Sequence, residues 1–148
     1  MEDNSYYYNN LGNSFMDIGK YEEALENYMK AISVKNDEAI FYHNSGVCLI
    51  LMEEYNRAKS LFKKALELSI NMDETKYYYI KCIFETNDSE NLENIDFPDD
   101  KGYLIESLVM ISKMSMRNGK KEIAKKCLNM LKILGYSSQE TDLIEKMI

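Results

Sequence analysis

His43 is the single histidine of the 148-residue chain, and no cysteine or serine is placed by sequence as its partner. Three cysteines, Cys48, Cys82 and Cys127, stand far apart with no CxxC pair. Nucleophilic catalysis and a structural zinc site are therefore not expected. Neither GxxxxGK[ST] nor GxGxxG is present to cradle a phosphate. The acidic pairs Glu22-Glu23 and Glu53-Glu54 sit at or just before the start of helical stretches. There they offset the helix dipole and face water rather than form an acid/base pair. These residues predict no enzyme and no cofactor. Asparagine and tyrosine are abundant instead. An amide side chain carries both a donor and an acceptor, and can pair with a peptide backbone. A tyrosine offers apolar area with a polar tip. That is chemistry for holding another polypeptide.

The elements that position these residues repeat. Displaced by 34 residues, Tyr8 meets Tyr42, Asn10 meets Asn44 and Gly12 meets Gly46. Tyr21 meets Tyr55, Ala24 meets Ala58, Lys30-Ala31 meets Lys64-Ala65, and Cys48 meets Cys82. A period of this size is the mark of a repeat architecture. Each unit reads as two helices. Tyr8, Leu11, Gly12 and Phe15 keep helical spacing, Gly19-Lys20 breaks it, and Tyr21, Ala24, Leu25, Tyr28, Ala31 and Ile32 resume it. The second unit repeats the scheme with Tyr42, Gly46 and Leu49, then Tyr55, Ala58, Phe62, Ala65 and Leu66. Glycine costs a helix about 1 kcal/mol against alanine. Gly12 and Gly46 are therefore expected to serve close helix approach, with Ala24, Ala31, Ala58 and Ala65 as the matching small surfaces. Cys48 and Cys82 share one place in the repeat and read as small buried hydrophobes, as does Cys127 on a later stripe.

This pattern resembles the tetratricopeptide repeat. Tyr8, Leu11, Gly12, Phe15, Ala24, Tyr28 and Ala31 fill signature places of repeat one, residues 5–38. Tyr42, Gly46, Leu49, Ala58, Phe62 and Ala65 fill those of repeat two, residues 39–72. Ser45 replaces the leucine, and Asn36 and Ile70 replace the closing proline. The resemblance implies an all-α fold, a short right-handed superhelix of antiparallel helix pairs.

Beyond residue 72 the pattern loosens. Tyr77, Ile80, Ile83 and Phe84 predict a partial third repeat over 73–86 without its partner helix. An acidic irregular segment, 87–100, follows with six acids and no base. Asn91 to Ile95 is expected to form one helical turn or two, and Pro98 to suit the start of a helix. Residues 101–136 predict a degenerate helix pair with Ser112 at the glycine place and Ala124 at the alanine place. Residues 137–148 predict a capping helix started by a capping box of Ser137 with Glu140.

By the resemblance, the first helices line a concave groove. Asn9, Asn10 and Asn13 of repeat one, His43, Asn44 and Val47 of repeat two, and Tyr77, Tyr78 and Lys81 of the third helix are its candidate peptide-binding residues. Tyr6, Met16, Ile40, Ile50 and Phe84 share these places, and Val109, Lys113 and Arg117 could extend them. One family variant clamps a terminal carboxylate with two asparagines and three basic residues. Asn13 and Asn44 stand at the asparagine places, but the basic places hold Asn9, Glu74 and Tyr78. That clamp is broken, so a partner is expected to be read along its backbone, with Lys81 selecting one acidic side chain. The resemblance implies a non-enzymatic adaptor, scaffold or chaperone-like module binding an extended peptide. A self-assembling module and a regulatory subunit of an enzyme stay open as alternatives, and so do monomer and weak homodimer.

Charge narrows the partner class. A net charge of −7 repels phosphate backbones, so no nucleic acid is expected. The longest apolar run, Val47 to Met52, is far short of the roughly 20 residues a membrane helix needs. The acidic start Glu2-Asp3-Asn4 resembles neither a signal nor a transit peptide, and the odd cysteine count fits a reducing cytoplasm. Residues 113–132 are strongly basic, and either an acidic partner or the chain's own acidic segment answers them.

Overall fold

The computed structural model describes residues 3–148. All regular structure among them is helical: α1 (Ser5–Asp17), α2 (Tyr21–Val34), α3 (Ala39–Leu51), α4 (Tyr55–Leu68), α5 (Asp73–Glu85), a 3-10 turn (Ser89–Asn91), α6 (Lys101–Arg117), α7 (Lys121–Ile133) and α8 (Gln139–Met147). The chain divides into two compact units, with the boundary between Thr75 and Lys76.

In the first unit α1 packs on α2, α2 on α3 and α3 on α4. Links too short to do anything but reverse the chain make α1/α2 and α3/α4 antiparallel hairpins. The glycines are where helices come closest, though not against the alanines. A Cβ on Gly12 would lie 2.6 Å from Cε1 of Tyr28, and one on Gly46 would lie 2.7 Å from Cε1 of Phe62. Each glycine is the socket for the aromatic ring of the partner helix. Both rings are buried, and Ala24, Ala31, Ala58 and Ala65 are fully buried around them. Cys48 is buried, and its thiol donates to the carbonyl of Tyr21 at 3.1 Å. Burial pushes that thiol up to about 11. Tyr42 closes the α2–α3 link by donating to the carbonyl of Asn36.

One device ends α1, α3, α5, α6 and α7. Gly19, Glu53, Asn87, Gly119 and Gly135 all have positive φ, from 50° to 76°. At each, its own N–H bonds three residues back and the next N–H bonds five back, as Lys20 does to Phe15 and Glu54 to Leu49. These are Schellman stops. Gly19, Glu53 and Asn87 are spaced by the repeat period, so the third unit ends its first helix as the others do. Asn tolerates this conformation, and the Asn118 side chain braces Asn87 at 2.8 Å. Glu53 has no such excuse at φ 59°. Glu53→Gly is expected to stabilise the chain by about 0.5–1 kcal/mol. Urea denaturation reads this as a higher midpoint with unchanged slope; an unchanged or lower midpoint refutes the strain.

The second unit has its own core, in which Ile80 and Ile83 of α5 meet Leu108, Ile111 and Met114 of α6, Cys127, Leu128 and Leu131 of α7 and Ile144 of α8. Ser112 and Ala124 are fully buried in the α6/α7 pair. Burial raises the Cys127 thiol to about 11, and all three cysteines are buried and free. The segment after α5 corrects the sequence reading. Its helical turn is the 3-10 turn at Ser89–Asn91, not 91–95, and the rest is irregular. Leu92 and Pro98 are buried, and Ile95 and Phe97 pack on the core. Pro98 lies ahead of α6 rather than at its first residue, and Asp100 caps that helix by accepting from the Tyr103 N–H at 3.0 Å. The capping box of α8 is shifted by one residue, to Ser138 with Thr141. Both candidate pairs have the right spacing, and Thr141, buried, supplies the returning hydroxyl.

The basic stretch is answered largely within the unit. Lys120 pairs with Glu93 of the acidic segment at 3.2 Å. Lys113 pairs with Glu140 of α8 at 2.6 Å, Lys132 with Glu145, and Lys125 with Glu122 on its own helix.

Candidate functional site

A surface recess of about 370 Å³ lies in the first unit. Asn13, Met16 and Asp17 of α1, Ile40, His43, Asn44 and Val47 of α3, Tyr28 of α2 and Glu74 at the start of α5 line it. Six of the residues placed in the groove from sequence converge here: Asn13, Met16, Ile40, His43, Asn44 and Val47. They converge because α1 and α3 hold equivalent places in successive pairs, so equal places in each repeat face the same side.

Not all the amide chemistry is open. Asn9 is buried, and its Oδ1 accepts from Nδ2 of Asn44 at 2.9 Å. The pair links α1 to α3. Asn44 is half-buried on the recess, whereas Asn9 is a structural partner behind it. Asn13 is exposed, and its Oδ1 accepts from the Tyr28 hydroxyl at 2.6 Å. Asn10 is exposed but does not line the recess. Burial lifts the Tyr28 hydroxyl to about 12, with Asp17 adding to the shift, so it stays a donor.

His43 is also buried. Its Nδ1 lies 2.8 Å from Oγ1 of Thr75, its ring meets Phe62 edge to face at 5.8 Å, and its Nε2 is 3.9 Å from a Glu74 oxygen. Burial lowers its pKa below the ordinary 6.5, and the Glu74 carboxylate opposes that only in part. The sign follows directly. Below about 6.5 the unfolded chain takes up a proton that the folded chain resists, so stability is full above 6.5 and is lost as pH falls through the folded value. The loss is expected to be up to about 1 kcal/mol by pH 5.5. With one histidine, an imidazole NMR titration reads the midpoint unambiguously. A midpoint at or above 6.5, or a melting temperature that falls as steeply in His43→Gln, refutes the assignment.

The remaining candidates lie in the second unit. Tyr77 is half-buried, stacked on Tyr103 with centroids 5.0 Å apart and tilted against Tyr78 at 5.3 Å. Burial and a hydrogen bond with the Glu106 carboxylate raise its pKa. Tyr78 and Lys81 are half-buried. Phe84 carries Lys113 and Arg117 over its ring, at 5.7 and 5.5 Å from the centroid. These side chains serve a π-stack and a cation–π cluster as well as any surface role.

Asp17 and Tyr28 line the recess without being among the groove candidates of the sequence, whereas Glu74, which stands at a clamp place, does line it. Met16 and Ile40 had been placed in the groove and do line the recess. Asp17 is the last residue of α1 and stands at the final groove place of the repeat. Among the described residues no group of three or more histidine, cysteine or acidic side chains is placed to hold a metal, and no helix is long and apolar enough to cross a membrane.

Comparison with known proteins agrees with this architecture. A family model described as TPR repeat matches residues 12–52, and one described as tetratricopeptide repeat matches residues 39–69. Among solved structures the chain is similar to MamA protein, with 20% identity over 86% of this chain and 70% of that one, at a TM-score of 0.71. It is similar to the first TPR of Spaghetti bound to the HSP90 peptide SRMEEVD, with 14% identity over 85% and 95%, at 0.59. It is also similar to the Yersinia enterocolitica type III secretion chaperone SycD in complex with a peptide of the translocator YopD, with 15% identity over 91% and 95%, at 0.57. At such identities the likeness is one of fold.

Proposed function

We propose that this chain, a tetratricopeptide-repeat protein over residues 12–69, is a non-enzymatic interaction module that holds an extended peptide or partner segment against α1 and α3. The observation that carries this reading is the recess in which Asn13, Asn44 and Val47, from two successive repeats, meet on one surface. Two similar folds, those of Spaghetti and SycD, were solved with peptides, which supports the class of partner. The segment is read by its backbone and side chains rather than by a terminal carboxylate. A buried carboxylate needs cationic donors to offset its desolvation, and the charged groups lining the recess are Asp17 and Glu74.

The test pans a library of random displayed peptides on the intact chain and titrates the selected peptides as free acids and as C-terminal amides. Equal affinities are expected, with Val47→Asp weakening both at least tenfold while the far-UV spectrum and melting temperature stay near the parent's. Failure to select any peptide, peptides indifferent to Val47→Asp, or a strong preference for the free acid overturns the reading.

A further inference from the structure

We propose that the recess between α1 and α3 receives a lysine or arginine side chain of the bound segment. This rests on the reading of the first unit as a peptide-binding surface, and it specifies the chemistry that the recess selects. The lining divides into two parts. Met16, Ile40 and Val47 supply apolar wall, and Asp17 and Glu74 supply two carboxylates. No lysine or arginine lines the recess among the described residues. His43 adds no compensating charge at neutral pH, because burial holds its imidazole neutral. A long cationic side chain matches both parts: its methylene stem covers apolar surface while its charged head answers the carboxylates in contact with water.

Other side chains fit less well. An acidic residue would meet two like charges. A purely aliphatic residue would cover the wall and leave the field of the carboxylates unused. Lys81, expected to select an acidic side chain, lies in the second unit and lines none of this surface. Asp17 is exposed and the Glu74 side chain is 53% exposed, so each contact is screened and worth little singly. Together they set a preference of about five- to tenfold, which selects among segments rather than binding them alone.

The experiment uses C-amidated peptide pools, degenerate except for one fixed central residue, which is lysine, arginine, glutamate or norleucine. Retention of each pool on the immobilised intact chain is measured at low and high salt. The expected result is retention of the lysine and arginine pools about five- to tenfold above the glutamate pool at low salt, converging at high salt. In Asp17→Asn/Glu74→Gln the ratio of lysine-pool to glutamate-pool retention is expected to fall to about one at low salt. If pools are retained but lysine and glutamate do not differ, or the double variant keeps the preference, the inference is overturned and the peptide-binding reading stands. If no pool is retained above a blank surface, or retention is unchanged in Val47→Asp, the peptide-binding reading itself is overturned and this inference with it.

Discussion

Gly46→Leu is expected to lower the melting temperature by about 2–8 °C, and the cause is a ring that has nowhere to go. A Cβ at this position would stand 2.7 Å from both Cε1 and Cζ of Phe62. Phe62 is fully buried, with His43 set against its ring. Leucine adds three further carbons beyond that Cβ. Overpacking of this kind costs about 1–3 kcal/mol and occasionally more. Replacing glycine inside a helix returns close to 1 kcal/mol of propensity. A net loss of about 1–2 kcal/mol remains, at roughly 2–4 °C per kcal/mol for a chain of this size. Phe62→Ala alone opens a cavity and costs about 3–5 kcal/mol. In the double variant the leucine occupies space the ring vacated, so the two losses are expected to fall short of their sum by at least about 1 kcal/mol. Thermal and urea melts of the four proteins decide it. A Gly46→Leu chain that melts with the parent, or strict additivity in the cycle, removes the socket-and-ring account of the repeat.

The socket was half legible in the sequence. The period of 34 and the paired glycines announced close approach, and the two apolar stripes of each repeat fall on α1 and α2 and on α3 and α4. What met the glycine was not legible. Ala24 and Tyr28 both lie on the buried face of α2, and periodicity alone does not say which reaches across. The same limit hid the fate of Asn9 and His43. Their places in the repeat point them toward the groove, but the side chains that cover them, Asn44 and Thr75, are 35 and 32 residues away. Turn chemistry was read only where glycine marked it. Glu53 and Asn87 hold the same left-handed stop as Gly19 without its signature residue. In the acidic segment, charge drew attention away from Leu92, Ile95 and Phe97, which pack on the core and, with the ion pairs of Glu93 and Asp96, anchor the strip. The acidic character of the recess was not legible for a different reason. Its two carboxylates come from a helix end and from the first turn of another helix, and only the fold brings them to one surface.

Ile144→Asp is expected to cost the second unit about 3–4 kcal/mol, because α8 holds to that unit chiefly through this side chain. Ile144 is 7% exposed and belongs to the same core as Leu128, Leu131 and Ile111. Burying an isoleucine is worth about 1.5–3 kcal/mol. A carboxylate in its place must either stay charged without a partner or take up a proton, and each route adds to the loss. The ion pairs of Lys113 with Glu140 and Lys132 with Glu145 join α8 to α6 and α7 at exposed or half-exposed positions, where such pairs give about 0–1 kcal/mol each. They cannot hold the helix once its apolar anchor is gone. The adjacent Leu143 is 60% exposed and serves as the control, since Leu143→Asp should stay within about 0.5 kcal/mol of the parent. Hydrogen exchange resolves where the loss falls. In Ile144→Asp the amides of α8 should lose protection first and those of α7 should follow, because undocking exposes Leu128 and Leu131 to water. If Ile144→Asp and Leu143→Asp exchange and melt alike, α8 is held by its salt bridges and capping box rather than by burial of one isoleucine.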